Sequence, residues 1–469
     1  MKKRIGFSSY PDFSGNSKAL YEDMKNLSND YDFIWFCRDE NIANRLNERG
    51  INAIWNKSEN FEEEFNKTEI VLNTHDDYMN LKKENQILIN LWHGLGPKKM
   101  GTFIDSEVNW ILKISSKFDY LVATSEFGKM LFSSAFSMPI ERVKQFPQAR
   151  YKWLYENKGK ENLEKVLKKD LKQYKKIVMY APTFKKGIGK EESKINKENV
   201  LNLNQYDEEI LTSYLEKNDI LLVLKLHPVE ENILKEVESN NIVILKDNEM
   251  LDEFVTINEI LDGVDLLISD YSSIYIDYIN LERPVMFFDT DKDEYEKNRG
   301  ILFETLDFWW MAGPQVHSID KFIQETERLL NDSDYYKKER EKFNKIVNGK
   351  QEKSNKELID FILNARKTDI DKPDYKLPLL EKSNAMFKNE NEKIKSENEI
   401  LKNENENIKN ENERLINNNE ELLSSNRELA DGNKWIMGEY ENLRQEYEKI
   451  IYSRSYKYTQ KIKKLIKRG

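Results

Sequence analysis

Residues 87–101 of the chain, ILINLWHGLGPKKMG, join an apolar run to a polar, glycine-rich turn. The run Ile87–Leu91 is apolar almost throughout, as expected of a strand that is covered on both faces. Strands of this kind belong to parallel sheets, in which helices connect consecutive strands. The stretch therefore predicts a parallel α/β sheet with a polar loop at the carboxyl end of one strand.

Similar β-rich runs recur up to about residue 366 and alternate with amphipathic stretches. The predicted strands form two sets, Arg4–Ser8, Phe33–Cys37, Ile70–Asn73, Ile87–Leu91 and Tyr120–Ala123, then Ile177–Tyr180, Ile220–Leu226, Ile242–Leu245, Leu266–Ser269 and Val285–Phe288. A charged stretch, Tyr151–Lys169, separates the sets. Since alternating strands and helices imply right-handed crossovers, we expect two doubly wound domains, residues 1–150 and 151–366, that face a cleft.

The composition of the 469 residues narrows the class of protein. There are 74 basic and 84 acidic residues, a net charge of −10, which argues against a general nucleic-acid binder. The one cysteine, Cys37, excludes a disulfide scaffold and a cysteine-based zinc site. No run approaches the ~20 apolar residues of a membrane span, and no apolar core follows the basic start MKKRIGFSSY. We therefore expect a soluble, cytoplasmic protein.

Residues 379–450 are rich in Glu, Asn and Lys and carry an unbroken seven-residue repeat. Its apolar row is Phe387, Ile394, Leu401, Ile408, Leu415, Leu422, Leu429, Ile436, Leu443 and Ile450, and its Asn row is Asn391, Asn398, Asn405, Asn412, Asn419, Asn426 and Asn433. With the apolar row at d and the Asn row at a, the pattern predicts a left-handed coiled coil. Asn at a tends to favour two parallel strands. We expect a homodimer through this segment, with the strand number open and a ruler or platform for partner enzymes as the alternative.

Residues 451–469 form a basic tail with seven Lys or Arg and no acidic residue. Tyr458, Ile462, Leu465 and Ile466 fall on one helical face among these cations. A basic amphipathic helix suits an anionic membrane surface. We expect peripheral association with the inner face of the cell membrane, with a solvated coil end as the alternative.

Candidate site residues follow the predicted strands, where open parallel sheets bind ligands. His93 and Gly94 come directly after Ile87–Leu91, and Lys98 and Lys99 follow them. A histidine near its ordinary pKa of ~6.5 can accept a hydroxyl proton, glycine permits close backbone approach, and the lysines supply positive charge. The alternative is a structural histidine with a solvated lysine pair.

Three further strand ends carry polar residues of the same kinds. They are Thr183 after the first, Lys225 and His227 at the second, and Asp270, Ser272 and Ser273 at the third. Ser272 or Ser273 is a good N-cap for a helix starting at Ile274, whose first N–H groups favour an anion. Each feature alone also fits an ordinary loop or a capped helix. Together they indicate a two-domain enzyme that handles a phosphorylated nucleotide donor.

Other polar residues are interpreted more simply. His75 and His317 are not accompanied by a comparable group of polar residues. His75 is interpreted as a rim residue, with a place in the cleft as the alternative. The run 289–293, DTDKD, either holds Mg²⁺ or is a solvated acidic loop, so a cofactor requirement stays open. Arg299-Gly300 offers a fixed charge for a diphosphate. Without a Walker A sequence, the ATPase hypothesis loses its main support.

The ordered set of motifs resembles the CDP-glycerol glycerophosphotransferases of teichoic-acid and capsule synthesis. The matching pieces, over roughly residues 70 to 365, are Trp92-His93-Gly94, Lys98-Lys99-Met100-Gly101, Thr124-Ser125-Glu126-Phe127, Tyr180-Ala181-Pro182-Thr183-Phe184, Lys225-Leu226-His227-Pro228, Ser269-Asp270-Tyr271-Ser272-Ser273, Arg283-Pro284-Val285, Tyr295 with Arg299-Gly300, Gly313-Pro314 and Asn348-Gly349-Lys350. The resemblance implies a GT-B-like fold of two Rossmann-like domains. It also implies transfer of glycerol phosphate from CDP-glycerol to a hydroxyl of a lipid-linked or polymeric acceptor, with release of CMP.

The resemblance further implies roles for individual residues. His93 would be the general base on the acceptor hydroxyl, and Asp270 would orient the site. The donor diphosphate would be held by Thr183, His227, Ser272, Ser273 and Arg299. The neighbouring Gly94, Lys98, Lys99, Lys225 and Gly300 complete the set of substrate-binding candidates.

One departure from the family pattern lies at the end of the first predicted domain. A Pro-Arg-Asn-Asp-like run is usual there, and this chain has Phe146-Pro147-Gln148-Ala149-Arg150-Tyr151, in which Arg150 replaces the missing arginine two positions later. A CDP-ribitol donor or a capsule-type sugar acceptor therefore stays open. A nucleotide-sugar glycosyltransferase of the same architecture, and a coiled-coil scaffold with an inactive transferase module, are the competing hypotheses.

Overall fold

The computed structural model describes residues 2–27, 29–96, 99–183, 199, 201–227, 231, 239–288, 300, 302, 311–349, 353–366 and 376–467. In the last range, side chains are described from residue 388 onward, except residues 390 and 466. The chain forms two compact units, residues 1–380 and 381–469.

Seven parallel strands form the first sheet of the larger unit, in the order β3-β2-β1-β4-β5-β6-β7. The strands are β1 Lys3–Phe7, β2 Tyr31–Cys37, β3 Ala53–Trp55, β4 Ile70–Asn73, β5 Ile87–Asn90, β6 Tyr120–Ala123 and β7 Val143–Gln145. The accompanying helices are α1 Gly15–Met24, α2 Glu40–Glu48, α3 Phe61–Asn66, α4 Val108–Ser115 and α5 Glu126–Ala135. Every residue of β4, β5 and β6 is buried, because helices cover both faces of the sheet.

Five parallel strands form the second sheet, in the order β10-β9-β8-β11-β12. The strands are β8 Lys176–Tyr180, β9 Ile220–Leu224, β10 Ile242–Ile244, β11 Leu266–Ser269 and β12 Val285–Phe287. The accompanying helices are α6 Gly159–Leu167, α7 Glu208–Lys217, α8 Asp247–Asp252, α9 Ile274–Tyr278, α10 Ile319–Asn331, α11 Lys337–Val347 and α12 Lys356–Asn364. The predicted α/β class with two parallel sheets is therefore confirmed.

Side chains from the two sheet regions meet around Phe254. Lys18 Nζ on α1 donates to the carbonyl of Phe254 and to the carboxylate of Glu259, each at 2.6 Å. The Arg45 guanidinium lies 4.5 Å from the centroid of the Phe254 ring. Helix α12 follows the second sheet in the chain but packs with the core of the first. These contacts hold the two sheets so that a cleft lies at their carboxyl ends.

The smaller unit consists of two helices. Helix α13, Lys376–Tyr452, is continuous for 77 residues and contains the predicted coiled-coil segment. Helix α14, Arg454–Ile466, follows after Ser453, whose side chain accepts a hydrogen bond from the amide of Tyr456. Among the described residues, neither these helices nor any other is both long and apolar enough to cross a membrane.

Candidate functional site

A cavity of about 580 Å³ opens between the two sheet regions at the carboxyl ends of their strands. Its walls include Asp12, Asn16, Thr74, His75, His93 and Arg150 on one side. The other side includes Lys225, Thr256, Asn258, Ser272, Ser273 and Asp277. The cavity thus brings together predicted site residues that are up to 180 positions apart, from His93 to Ser273, as expected for a topology that gathers strand ends.

The imidazole of His93 is oriented by the backbone of Thr74, at the end of the neighbouring strand. His93 Nδ1 lies 3.1 Å from the Thr74 carbonyl oxygen. Because a carbonyl oxygen only accepts, the proton of the neutral ring resides on Nδ1 and the lone pair on Nε2. This tautomer is the one that can take a proton at Nε2.

His75 lies directly against His93, which corrects its interpretation as an isolated rim residue. The two rings are parallel within 4° and their centroids are 4.3 Å apart. Burial, together with the neighbouring His93, Arg38 and Arg150, lowers the pKa of His75 from 6.5 to about 3, so His75 is neutral at ordinary pH. Its Nδ1 lies 2.9 Å from the Thr74 hydroxyl. The adjacency of β4 and β5 is the signal that would have predicted this pair.

A buried asparagine pair supports the turn that carries His93. Asn90 Nδ2 donates to Asn73 Oδ1 at 3.0 Å and to the carbonyl of His75 at 2.8 Å, while Asn90 Oδ1 accepts from the amide of Trp92 at 2.8 Å. Trp92 has a φ of +53°, a conformation that a bulky residue adopts only when its surroundings enforce it. Sequence reasoning missed both asparagines because each is the last residue of an otherwise apolar strand.

Arg150 joins the His93 turn to the second sheet region. Its guanidinium lies 2.8 Å from the Asp277 carboxylate and donates to the His93 carbonyl at 3.0 Å. Both side chains are buried, and Asn258 Nδ2 donates to Asp277 at 2.8 Å. A buried pair needs such additional hydrogen bonds to offset the cost of desolvation. The arginine that departs from the family pattern therefore lies at the floor of the cavity.

Gly94 is required by both its backbone and its surroundings. Its φ is +135°, and an added Cβ would lie 3.3 Å from the Arg150 guanidinium and 3.6 Å from Ser273. The glycine thus lets the His93 turn approach the second sheet region closely.

Asp270 is buried and holds two of the predicted loops together. It accepts hydrogen bonds from the amide and hydroxyl of Thr183, both at 2.8 Å, and from the amide of Ser272 at 3.1 Å. This geometry suits an orienting role. Ser273 stands at the N-cap of α9, but within the described residues its hydroxyl caps no amide, and α9 has only five residues. The helix therefore begins at Ile274 with Ser273 at its N-cap, as predicted, and Ser272 and Ser273 both line the cavity.

Lys225 lines the cavity, but its ammonium group is already paired with two carboxylates. Its ammonium lies 2.9 Å from Glu231 and 2.8 Å from Asp247, and it donates to the carbonyl of Leu226 at 2.7 Å. These contacts anchor the segment that carries His227, whose carbonyl accepts from the amide of Glu231 at 3.0 Å. His227 is half-buried.

Lys99 and Gly300 are brought together from opposite sides of the cleft. The Lys99 amide donates to the Gly300 carbonyl at 3.2 Å, and Gly300 has a φ of +77°. Lys98, Arg299 and the acidic run 289–293 lie outside the described residues.

The comparisons with known proteins agree with this architecture. A model of the family described as "CDP-Glycerol:Poly(glycerophosphate) glycerophosphotransferase" matches residues 1–364. The "Teichoic acid poly(glycerol phosphate) polymerase" of Bacillus spizizenii is 26% identical over 360 residues, which cover 70% of this chain and 84% of that protein. The protein of the same name from Staphylococcus epidermidis is 27% identical over 311 residues, 63% of this chain and 41% of that protein.

A relative that is named for a different product is similar to the same degree. The "Teichoic acid poly(ribitol-phosphate) polymerase" of Bacillus spizizenii is 26% identical over 328 residues, 66% of this chain and 48% of that protein. The chain therefore spans less than half the length of two of these three curated relatives.

Solved structures of the wall teichoic acid polymerase TagF share the fold. One superposes with a TM-score of 0.64 at 23% identity and covers 78% of this chain and 89% of that one. A TagF variant soaked with CDPG gives a TM-score of 0.63 at 23% identity, with 78% and 88% covered. The likeness confirms the GT-B-like fold, and the family model spans most of the chain. The chain belongs to the CDP-glycerol:poly(glycerophosphate) glycerophosphotransferase family of enzymes.

Proposed function

We propose that this enzyme transfers glycerol phosphate from CDP-glycerol to a hydroxyl of a lipid-linked or polymeric acceptor in the synthesis of teichoic acid or a related cell-surface polymer. Family membership and the names of the polymerase relatives support the reaction class. The observation that carries the proposal is the His93–Thr74 hydrogen bond at 3.1 Å, because it prepares Nε2 of a cavity-lining residue as a proton acceptor.

The acceptor oxygen attacks the β-phosphorus of CDP-glycerol. A new P–O bond forms to the acceptor, the P–O bond to CMP breaks, and the hydroxyl proton passes to His93 Nε2. CMP leaves with the electron pair of the broken bond. Phosphoryl transfer of this kind depends mainly on positioning and on stabilising phosphate charge.

The second sheet region supplies the donor side of the site. Thr183 and Ser272 donate hydrogen bonds to Asp270, which fixes their loops, and Ser273 lines the cavity beside them. We assign these residues, with His227, Lys99 and Gly300, to the diphosphate, and Lys98 and Arg299 to the same role on sequence grounds. Lys225 we assign to anchoring the His227 segment, because two carboxylates already pair with its ammonium.

His75 is a positioning residue in this proposal. A neutral ring stacked on His93 restricts rotation of the catalytic imidazole. Its low pKa also keeps a second positive charge away from His93 when that ring takes the proton.

The test is release of CMP from CDP-glycerol by the purified full chain with a poly(glycerol phosphate) acceptor. CDP-ribitol and a UDP-sugar are assayed in parallel. Acceptor-dependent CMP release from CDP-glycerol is expected. Faster CMP release from CDP-ribitol would show that the donor is CDP-ribitol and not CDP-glycerol. The similarity to a ribitol-phosphate polymerase makes this the main alternative. UDP release instead would favour a glycosyltransferase.

The proposal places the enzyme in the cytoplasm, against an anionic membrane surface, through α14. Tyr458, Ile462 and Leu465 are between 51% and 72% exposed and lie among lysines of the same helix. Such a helix binds anionic lipid by apolar insertion and charge together. Co-sedimentation of the full chain with vesicles containing phosphatidylglycerol, but not with pure phosphatidylcholine, is expected. Replacement of Lys461, Lys463 and Lys464 by Gln should abolish that difference.

A further inference from the structure

Helix α13 presents an exposed apolar row along most of its length. Nine d residues, Ile394, Leu401, Ile408, Leu415, Leu422, Leu429, Ile436, Leu443 and Ile450, are between 47% and 69% exposed. A continuous apolar row on an otherwise charged helix indicates a partner helix. The charges that flank the row identify which partner fits and in which direction.

In the first half of the helix, acidic residues flank the apolar row on one side and basic residues flank it on the other. Glu397, Glu404 and Glu411 occupy g positions, and Lys395, Lys402 and Lys409 occupy e positions. In a parallel pair of these helices, a g residue faces the e residue five positions later on the other helix. Glu397 would then face Lys402 of a second copy, and Glu404 would face Lys409. Twofold symmetry repeats both pairs, so every such contact is attractive.

An antiparallel pair would reverse this balance. Its g positions face g and its e positions face e. With the apolar rows fully overlapped, the glutamates of the first half would face Glu439 and Glu446 at the g positions of the second half. The lysines would approach Arg444 at an e position. Like charges then meet on both sides of the seam.

The second half of the helix favours alignment without a shift. From Leu415 onward the e positions include the apolar Ile416, Leu423 and Met437, so the apolar stripe widens. The Asn row ends at Asn433, and Tyr440 and Tyr447 take the next a positions. A shift by one heptad would set Tyr440 against Asn433 and remove one apolar layer.

We propose that α13 pairs in parallel and in register with α13 of a second copy of this chain, and that the Glu–Lys rungs set the direction. Both α14 helices then emerge at the same end of the pair. Two basic helices at one end can engage one anionic surface together, which raises the effective affinity. This inference is independent of the proposed transfer reaction.

Oxidative crosslinking tests the direction. Cys37 is fully buried, and burial raises the pKa of its thiol, so Cys37 does not take part in crosslinking. Disulfides then form only between cysteines introduced into α13. The full chain with Asn398→Cys, and separately with Leu443→Cys, should form disulfide dimers in each case. A mixture should give no 398–443 dimer, which is the pair that the fully overlapped antiparallel arrangement would bring together. A 398–443 dimer with neither homodimer would overturn the proposal, as would a trimer or a monomer in analytical ultracentrifugation.

Charge exchange tests the rungs. Lys402→Glu with Lys409→Glu should weaken dimerisation by at least about tenfold, because four attractive contacts become repulsive. Adding Glu397→Lys and Glu404→Lys to the same chain should restore it. Circular dichroism of both variants checks that the helix is kept. Equal dimerisation by all three proteins would overturn the role of the rungs.

Discussion

The imidazole rings of His75 and His93 lie parallel, with centroids 4.3 Å apart. One residue, Thr74, orients both of them, by its hydroxyl at 2.9 Å from His75 Nδ1 and its carbonyl at 3.1 Å from His93 Nδ1. The arrangement follows from the pairing of β4 with β5, which sets their carboxyl ends side by side. The histidine pair is therefore a consequence of strand order, and it gives the proposed base a fixed ring plane.

Two substitutions of His75 should show whether the stacked ring itself, and not the ionisable imidazole group, supports the function of His93. His75→Ala removes the stacked ring, and we expect kcat for CMP release to fall about tenfold, as for a misplaced catalytic group, with the KM for CDP-glycerol little changed. His75→Phe keeps a flat ring and should recover most of the lost rate. Steady-state kinetics of both variants makes the comparison. If His75→Phe is as slow as His75→Ala, stacking is not what His75 contributes.

Gly94→Ala should impair the reaction more than it impairs folding. The added Cβ would be forced between Arg150 and Ser273 at a φ of +135°, so the His93 turn must shift. We expect CMP release to fall at least about tenfold, since such strain costs of order 1–3 kcal/mol. Gly50→Ala is the matched control, because Gly50 also has a positive φ but an added Cβ meets nothing within 4 Å. Equal activity of the two variants would contradict this account of Gly94.

Breaking the Arg150–Asp277 pair should destabilise the fold. Asp277→Asn leaves a buried guanidinium without its counter-charge, and we expect the free energy of unfolding to fall by about 3–5 kcal/mol. The double variant Arg150→Met with Asp277→Leu should recover most of the stability but not the activity, because the hydrogen bond to the His93 carbonyl is gone. Urea unfolding and CMP release measure the two effects. A single variant as stable as the wild type would show that the pair contributes little.

Asp12 should make stability depend on pH. Burial raises its pKa from 3.8 to about 6, partly offset by hydrogen bonds from the amides of Asp39 and Arg38. Because the folded-state pKa exceeds the unfolded one, its contribution to stability is complete below pH 4 and lost as the pH rises through 6. Asp12→Asn should therefore exceed the wild type in the free energy of unfolding at pH 8 by up to about 3 kcal/mol.

The same comparison at pH 4 provides the control for Asp12. There the wild-type carboxyl is protonated in the folded state, so the two proteins should be equally stable. A stability difference that does not change between pH 4 and pH 8 would show that the desolvation of Asp12 is unimportant.

The sequence was most informative where a strand is fully buried. The predicted bounds of Ile70–Asn73 and Tyr120–Ala123 agree with β4 and β6 residue for residue, because continuous burial demands continuous apolar side chains. The edge strands Ala53–Trp55 and Val143–Gln145 were not predicted, because three residues are too few to show the hydrophobic periodicity of a strand.

The site could be predicted only in part for a different reason. His93 and Ser273 stand at strand ends that a rule about parallel sheets identifies. The partner of Arg150 is Asp277, which is 127 residues away in the chain, and no local sequence pattern predicts that pair. Lys225 was predicted to bind substrate from its place at a strand end and in a family-like motif. Its pairing with Glu231 and Asp247 depends on the tertiary position of residues 6 and 22 places further along the chain, which the motif does not indicate.

The role of His93 as acceptor of the hydroxyl proton is tested by measuring CMP release from CDP-glycerol by the wild type and by His93→Ala. Removal of a general base typically costs about 10²–10⁴-fold in rate, so we expect CMP release by His93→Ala to fall by at least about 10²-fold while CDP-glycerol still binds. Undiminished CMP release by a folded His93→Ala protein would contradict the assignment of the base.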